Sequence, residues 1–197
     1  MAADRRAARV ADVLEAAAAA HTRMAGRAAE VAAAAGVVVE ALAAGRTVLA
    51  FGNGGSAADA QHFVAELVGR FVVERRAWPA VALTTDTSIL TAVGNDYGFE
   101  RVFARQVEAL GRAGDVALGI TTSGRSANVL RGLEAARARG MRTVALTGRN
   151  GLAAGAAADV EVRVPEDDTA RIQEVHATVL HLICAIVDEE LDGTAHG

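Results

Sequence analysis

The chain has 197 residues, 52% of them hydrophobic, with 2 prolines and a formal net charge of −4. That length suits one domain with a full core and is too short for two ordinary ones. The acidic balance supplies no basic field for nucleic acid or an anionic membrane, so any phosphate recognition is expected to be local. The single cysteine, Cys184, excludes an internal disulfide. With no charged leader and no long uninterrupted apolar run, the expectation is a soluble protein of a reducing cytoplasm.

Residues 3 to 44 are dominated by alanine with scattered Arg, Glu and Asp, interrupted at Gly26-Arg27, which predicts two helices. Alanine presents little apolar area, so these helices need close neighbours. Packing against a partner subunit as well as the chain's own sheet is expected, in preference to an intrachain hairpin.

From Arg46 onward the pattern changes to short β-branched runs: RTVLAF, PAVALT, DVALGI, RTVALT and DVEVRV. Each is almost continuously apolar and bounded by Gly, Asp, Thr or Pro, as strands covered on both faces are. Helical spacing occupies Ser56 to Gly69, Glu100 to Leu110, Ser126 to Arg139 and Asp168 to Leu191. The predicted fold class is α/β, a doubly wound five-stranded parallel sheet flanked by helices, with N-terminal helices. Residues 1–197 are read as one domain, in which 1–44 serve oligomer packing and 45–197 form the α/β core.

In such a sheet, ligands bind beyond the carboxyl ends of the strands, where helix N-termini face the opening. The residues there are Asn53-Gly54-Gly55-Ser56, Thr84-Thr85-Asp86-Thr87, the TTSGRS run from Thr121 to Ser126, and Thr147-Gly148-Arg149-Asn150. TTSGRS reads as a phosphate loop: Gly124 permits a tight turn, hydroxyls of Thr121, Thr122, Ser123 and Ser126 can donate, and the next helix offers free N–H groups. Ser126 is equally suited to a plain N-cap. No Lys follows in the Walker pattern, which disfavours a nucleoside triphosphate.

GNGGSA, from Gly52 to Ala57, matches the G-x-G-x-x-A string of a dinucleotide cradle. Its ribose-binding acid is misplaced, however. Asp86 lies 32 residues beyond Gly54 rather than the usual roughly 20, and Glu74 precedes the second strand.

His62 and Glu66 stand at i and i+4, on one helix face. In RIQEVHATVLHLI, Gln173 and His181 share a face of a largely apolar helix that also carries His176. Polar groups on such a helix need partners. Two imidazoles, a carboxylate and an amide would suit zinc; Glu66 and His181 would equally make an acid–base pair without metal. Asn95-Asp96 is read as a loop before a helix, with Asp96 either a cap or an acceptor for substrate hydroxyls. His21 and His196 are read as solvated.

Together, GNGGSAADAQHFVAEL, GNDYGFERVF, GDVALGITTSGRSANVL, ARGMRTVALTG and ARIQEVHATVLHLI closely resemble the sedoheptulose 7-phosphate isomerases, or phosphoheptose isomerases, of the sugar isomerase (SIS) domain family. The match runs in order from about Val48 to Asp188. The resemblance implies heptose biosynthesis in the cytoplasm, a homotetramer with active sites at subunit interfaces, and one Zn²⁺ per subunit. It places zinc ligands on His62, Glu66, Gln173 and His181, and acid–base catalysis on Glu66 and His181. Contacts to the sugar phosphate fall on Asn53, Gly54, Gly55, Glu66, Asn95, Asp96, Thr121, Thr122, Ser123, Ser126 and Gln173. Two positions depart from the family: Arg125 stands where STSGNS has Asn, and Ala170 where some members carry Asp. The alternatives are a noncatalytic SIS adaptor and a sugar-phosphate-sensing module.

Overall fold

The computed structural model describes residues 2–154 and 156–192; His196 lies outside them. Two N-terminal helices, α1 (Ala2–Met24) and α2 (Ala28–Ala43), are joined by a 3-10 turn at the predicted interruption, Ala25–Arg27. The strands are β1 (Val48–Gly52), β2 (Ala80–Ala82), β3 (Val116–Thr121), β4 (Arg142–Thr147) and β5 (Val160–Arg163). Between and after them come α3 (Gly55–Val68), α4 (Thr87–Tyr97), a turn at Phe99–Arg101 leading into α5 (Val102–Leu110), α6 (Ala127–Ala138) and α7 (Thr169–Asp192). The sheet is five-stranded and parallel throughout, in the order β2-β1-β3-β4-β5.

Alternation along the strands divides the core. Val48 and Ala50 of β1, with Val116, Leu118 and Ile120 of β3, join α2, α3 and α7 on one face. Leu49, Phe51 and Ala117 point to the other, against α5 and α6, where Phe51 stacks on Phe103 at 5.2 Å. Chain order reverses between β1 and β3, whose register sets Gly52 beside Ile120. Their succeeding loops therefore diverge around one crevice, the usual ligand position in this topology.

Helix α7 is long and apolar enough to cross a membrane by hydropathy alone. Its Val175, Val179, Leu180, Ile183 and Val187 are buried in the core, however, which accounts for that composition. Helix α2 buries Val31, Ala34, Ala35, Val38 and Leu42 within the chain, whereas α1 leaves Val10 58% and Leu14 65% exposed.

Two local expectations are corrected. Asn95 and Asp96 lie in the last turn of α4, not in a loop. Asp86 starts that helix, its carboxylate accepting from Ile89 N at 2.9 Å, so it is a cap rather than a ribose ligand. His21 is half-buried rather than solvated, with Nδ1 2.9 Å from Ala17 O and Nε2 2.9 Å from Thr178 Oγ1.

Candidate active site

The crevice between β1 and β3 is bridged by two asparagines. Asn53, after β1, and Asn128, in the first turn of α6, exchange two amide hydrogen bonds of 2.8 Å. Asn128 is buried, so the pair fixes Asn53 while both strand-end loops stay open. The carbonyl of Asn53 also accepts from Ser56 N, helping to start α3.

Gly55, the first residue of α3, is needed for a close approach. A Cβ there would lie 2.3 Å from Gln173 Nε2, so the α7 amide rests directly on the GNGGS turn. Two turns along α3, His62 and Glu66 face the same neighbour. His62 Nε2 lies 2.8 Å from His181 Nε2 and 3.5 Å from Glu66 Oε1. At 2.8 Å one imidazole donates and the other accepts. The rings meet edge to face, and Phe71 stacks on the His181 ring with centroids 5.4 Å apart. Of the predicted quartet, His62, Glu66 and His181 thus meet between α3 and α7, while Gln173 of α7 rests on the turn at Gly55.

Asp59, one turn before His62, is half-buried, with Oδ2 lacking a hydrogen-bond partner. Burial raises its carboxyl above the ordinary value, with the charge of His62 acting in the opposite direction.

In the loop after β3, Thr121 Oγ1 lies 3.0 Å from Ser126 Oγ and 3.5 Å from Ser123 Oγ. Although Ser126 is the N-cap residue of α6, its hydroxyl makes no capping bond. It therefore faces the other hydroxyls, which favours the ligand-loop reading over plain capping. Gly124 holds φ +65°, and a Cβ there would meet Gly151 O at 1.8 Å. Thr122, Ser123 and Arg125 line a cavity of about 200 Å³ with Arg149, Asn150 and Ile172. Glu166 and Asp167 line the same recess, so the departure at Arg125 puts an exposed cation at the rim of a recess of mixed hydroxyls and charges.

Asn95 and Asp96 are not joined to these groups. Both are exposed, and Asn95 Nδ2 donates to Asp96 Oδ1 at 2.7 Å. His176 is a core group instead. It is fully buried, with Nε2 3.2 Å from Thr147 O, and burial depresses its pKa to about 4 against the opposing effect of that hydrogen bond.

Sequence reasoning missed Asn128, Asp59 and Phe71. Asp59 carried a signal, an acid at i−3 from His62; Phe71 and Asn128 are brought in by tertiary packing.

Among the described residues no three His, Cys, Asp or Glu side chains form a ready-made metal centre. The donor types nevertheless fit zinc, because two imidazole nitrogens already face each other beside a carboxylate oxygen. Nitrogens sharing one tetrahedral zinc stand about 3.3 Å apart, so the 2.8 Å pair would have to open slightly.

The SIS domain model matches residues 12–148. A phosphoheptose isomerase of Geobacter sp. (strain M21) is 61% identical over 155 residues, 79% of this chain and 81% of that protein. The structure of the Neisseria gonorrhoeae phosphoheptose isomerase is 48% identical with a TM-score of 0.86, covering 92% of this chain and 97% of its own. That from Francisella tularensis is 42% identical with a TM-score of 0.88 at the same coverage. With its parallel sheet, strand-end loops and opposed histidines in place, the chain belongs to the phosphoheptose isomerases, SIS-domain enzymes that interconvert sugar-phosphate aldoses and ketoses.

Proposed function

We propose that this enzyme converts sedoheptulose 7-phosphate to D-glycero-D-manno-heptose 7-phosphate through a cis-enediol, with zinc as cofactor. The observation that carries the reading is the meeting of His62, Glu66 and His181 in a 2.8 Å and a 3.5 Å contact. On the same helix as His181, Gln173 rests on the GNGGS turn and Ile172 lines the recess with Thr122 and Ser123.

The 7-phosphate binds the loop from Thr121 to Ser126, with hydroxyls and the N-terminal N–H groups of α6 as donors. Asn53, Gly54, Gly55 and Gln173 hold the sugar chain, and Asn95 and Asp96, apart from these groups within one chain, would reach its hydroxyls only across the proposed subunit interface. In the open-chain ketose, one member of the Glu66–His181 pair takes a proton from C1 as O2 gains one, giving the enediol. O1 then loses its proton and C2 is protonated, which leaves the aldehyde at C1. Zinc bound by His62, Glu66, Gln173 and His181 would supply a Lewis acid for the charge that develops on oxygen.

The proposal extends to a cytoplasmic homotetramer with sites at subunit interfaces. The exposed Val10 and Leu14 of α1 support an assembled form; light scattering on the purified protein tests it.

The direct experiment incubates the protein with sedoheptulose 7-phosphate and follows the aldose by NMR, before chelation, after it, and after zinc is restored. Turnover that falls on chelation and returns with zinc is expected. Binding of the ketose without turnover under every condition would replace catalysis with sensing. Undiminished turnover after complete metal removal would retain the isomerase and discard zinc.

A further inference from the structure

Between α3 and β2 the chain runs through residues 69–79, and its ties converge on two buried charges. Arg75 and Asp188 pair at 2.7 Å with side chains 0% and 6% exposed. The guanidinium also donates to the carbonyls of Glu66 at 2.6 Å, Leu67 at 2.9 Å and Arg76 at 3.0 Å. It thereby closes the C-terminal end of α3, where carbonyls lack helical partners. The second oxygen of Asp188 accepts from Val72 N at 3.4 Å, and Trp78 N reaches Leu67 O at 3.0 Å.

This arrangement joins the helix carrying His62 and Glu66 to the helix carrying His181. Asp188 lies two turns beyond His181 on α7. Arg75 holds the turn of α3 to which Glu66 belongs, and the residue next to Val72 is Phe71, whose ring lies on His181. Cys184, between His181 and Asp188, is pushed up to about 12 by burial, with Glu66 and Asp188 adding and Arg75 opposing. The two charge groups are therefore close enough to influence one thiol.

We infer that Arg75, Asp188 and Phe71 are positioning residues that set the His181 imidazole against His62 and Glu66. None reaches the substrate in this role. The ion pair fixes the loop, the loop places the Phe71 ring, and the ring confines His181 by stacking on its face. A guanidinium is required because one group must serve a carboxylate and several carbonyls at once, which an ammonium cannot do in the same geometry. The catalytic consequence rests on the function proposed for His62, Glu66 and His181; the mechanical coupling does not.

The test uses the metal-free full-length protein, with the His181 ring protons assigned by NMR at one fixed pH. Phe71 should shift them upfield through its ring current, and Phe71→Leu should abolish the shift. The deciding variants are Arg75→Lys and Asp188→Asn, neither of which removes a neighbour of the ring. Each should reduce the shift while the protein stays folded and, in the same protein after zinc is restored, lower kcat on sedoheptulose 7-phosphate about tenfold with KM within twofold. Phe71→Tyr, unlike Phe71→Leu, should keep both the shift and kcat near their wild-type values. His181 protons unmoved in the folded variants would overturn the inference, leaving the pair a structural tie; if Asp188→Asn does not fold, Arg75→Lys decides. A wild type without turnover but with the coupled shifts would refute the proposed function and leave the positioning intact.

Discussion

Replacing Gly55 with alanine should separate activity from stability. The new Cβ would stand 2.3 Å from Gln173 Nε2, whereas ordinary contact begins near 3.4 Å. The amide tip must therefore retreat by about 1 Å, and it can, because it ends a flexible side chain. Gly55 starts α3 and is not among the glycines with positive φ. Alanine is consequently unstrained there, and its helix preference contributes about 0.5–1 kcal/mol. That offsets the cost of moving Gln173 and leaves Tm unchanged or about 2–4 °C higher for a chain of this size. A displacement of about 1 Å in a positioning group costs about 100-fold in rate, or about 2.7 kcal/mol of transition-state stabilisation. Turnover of sedoheptulose 7-phosphate and a thermal melt on the same preparation measure both quantities. A kcat/KM within twofold of the wild type would refute the placement of Gln173 in the site. A large fall in Tm would show that backbone, rather than the amide, had yielded. In the Gly55→Ala/Gln173→Ala double variant the clash is gone, so the glycine substitution should add almost nothing to the loss caused by Gln173→Ala.

Gly124→Ala should behave in the opposite way: φ is +65° and the obstacle is the backbone carbonyl of Gly151, so about 3–5 kcal/mol of stability should be lost in a denaturant titration; a wild-type midpoint would contradict this. His176 should make stability fall in mild acid. Its folded pKa is lowered from 6.5 to about 4, so the contribution is complete above pH 6.5 and is lost as the pH falls toward 4, by about 3 kcal/mol in total. His176→Gln should remove that slope, measured by urea unfolding between these limits, and a slope of equal size in the variant would assign it elsewhere. Cys184, buried with its thiol pushed up to about 12, should resist iodoacetamide at pH 8 and react on denaturation. Rapid alkylation of the folded protein would refute its placement.

The strands β1, β3 and β4 were legible because their burial is nearly complete, and β-branched apolar runs follow directly from that; the largely exposed α1 was marked by its alanine content instead. Helix α4 was not, and the reason is physical. None of its residues is fully buried, and the short apolar stripe whose Leu90 and Val93 pack against the core is followed at once by Gly94, Asn95 and Asp96, which all favour turns. What holds its start is local, the Asp86 cap and a 2.6 Å bond from Thr91 Oγ1 to Thr87 O. The site divides in the same manner. His62 and Glu66 could be paired by spacing within α3, and Gln173 and His181 within α7. The 2.8 Å meeting of His62 with His181 depends on two helices packing across 119 residues of sequence. Phe71 and the Arg75–Asp188 pair lie still further beyond local pattern, since a loop without periodicity reveals neither its anchor nor the ring it presents.

The GNGGSA string shows how one spacing arises from unlike demands. In a dinucleotide cradle the second glycine of the pattern lets backbone approach a pyrophosphate. Here Gly54, in that place, takes φ +56° with open space where a Cβ would be, so it serves the turn. The close approach falls one residue later, at Gly55, and the approaching group is the Gln173 amide from a helix more than one hundred residues away. The glycines therefore do not merely leave space for a ligand; Gly55 admits part of the protein that is to hold one. A cofactor pattern matched by spacing alone cannot separate these cases, because both need a missing Cβ at the mouth of a helix. The separating feature is the apposed element. A side chain resting on the turn, with His62 and His181 in contact along the same two helices, sets the candidate site where α3 meets α7 rather than along the turn itself.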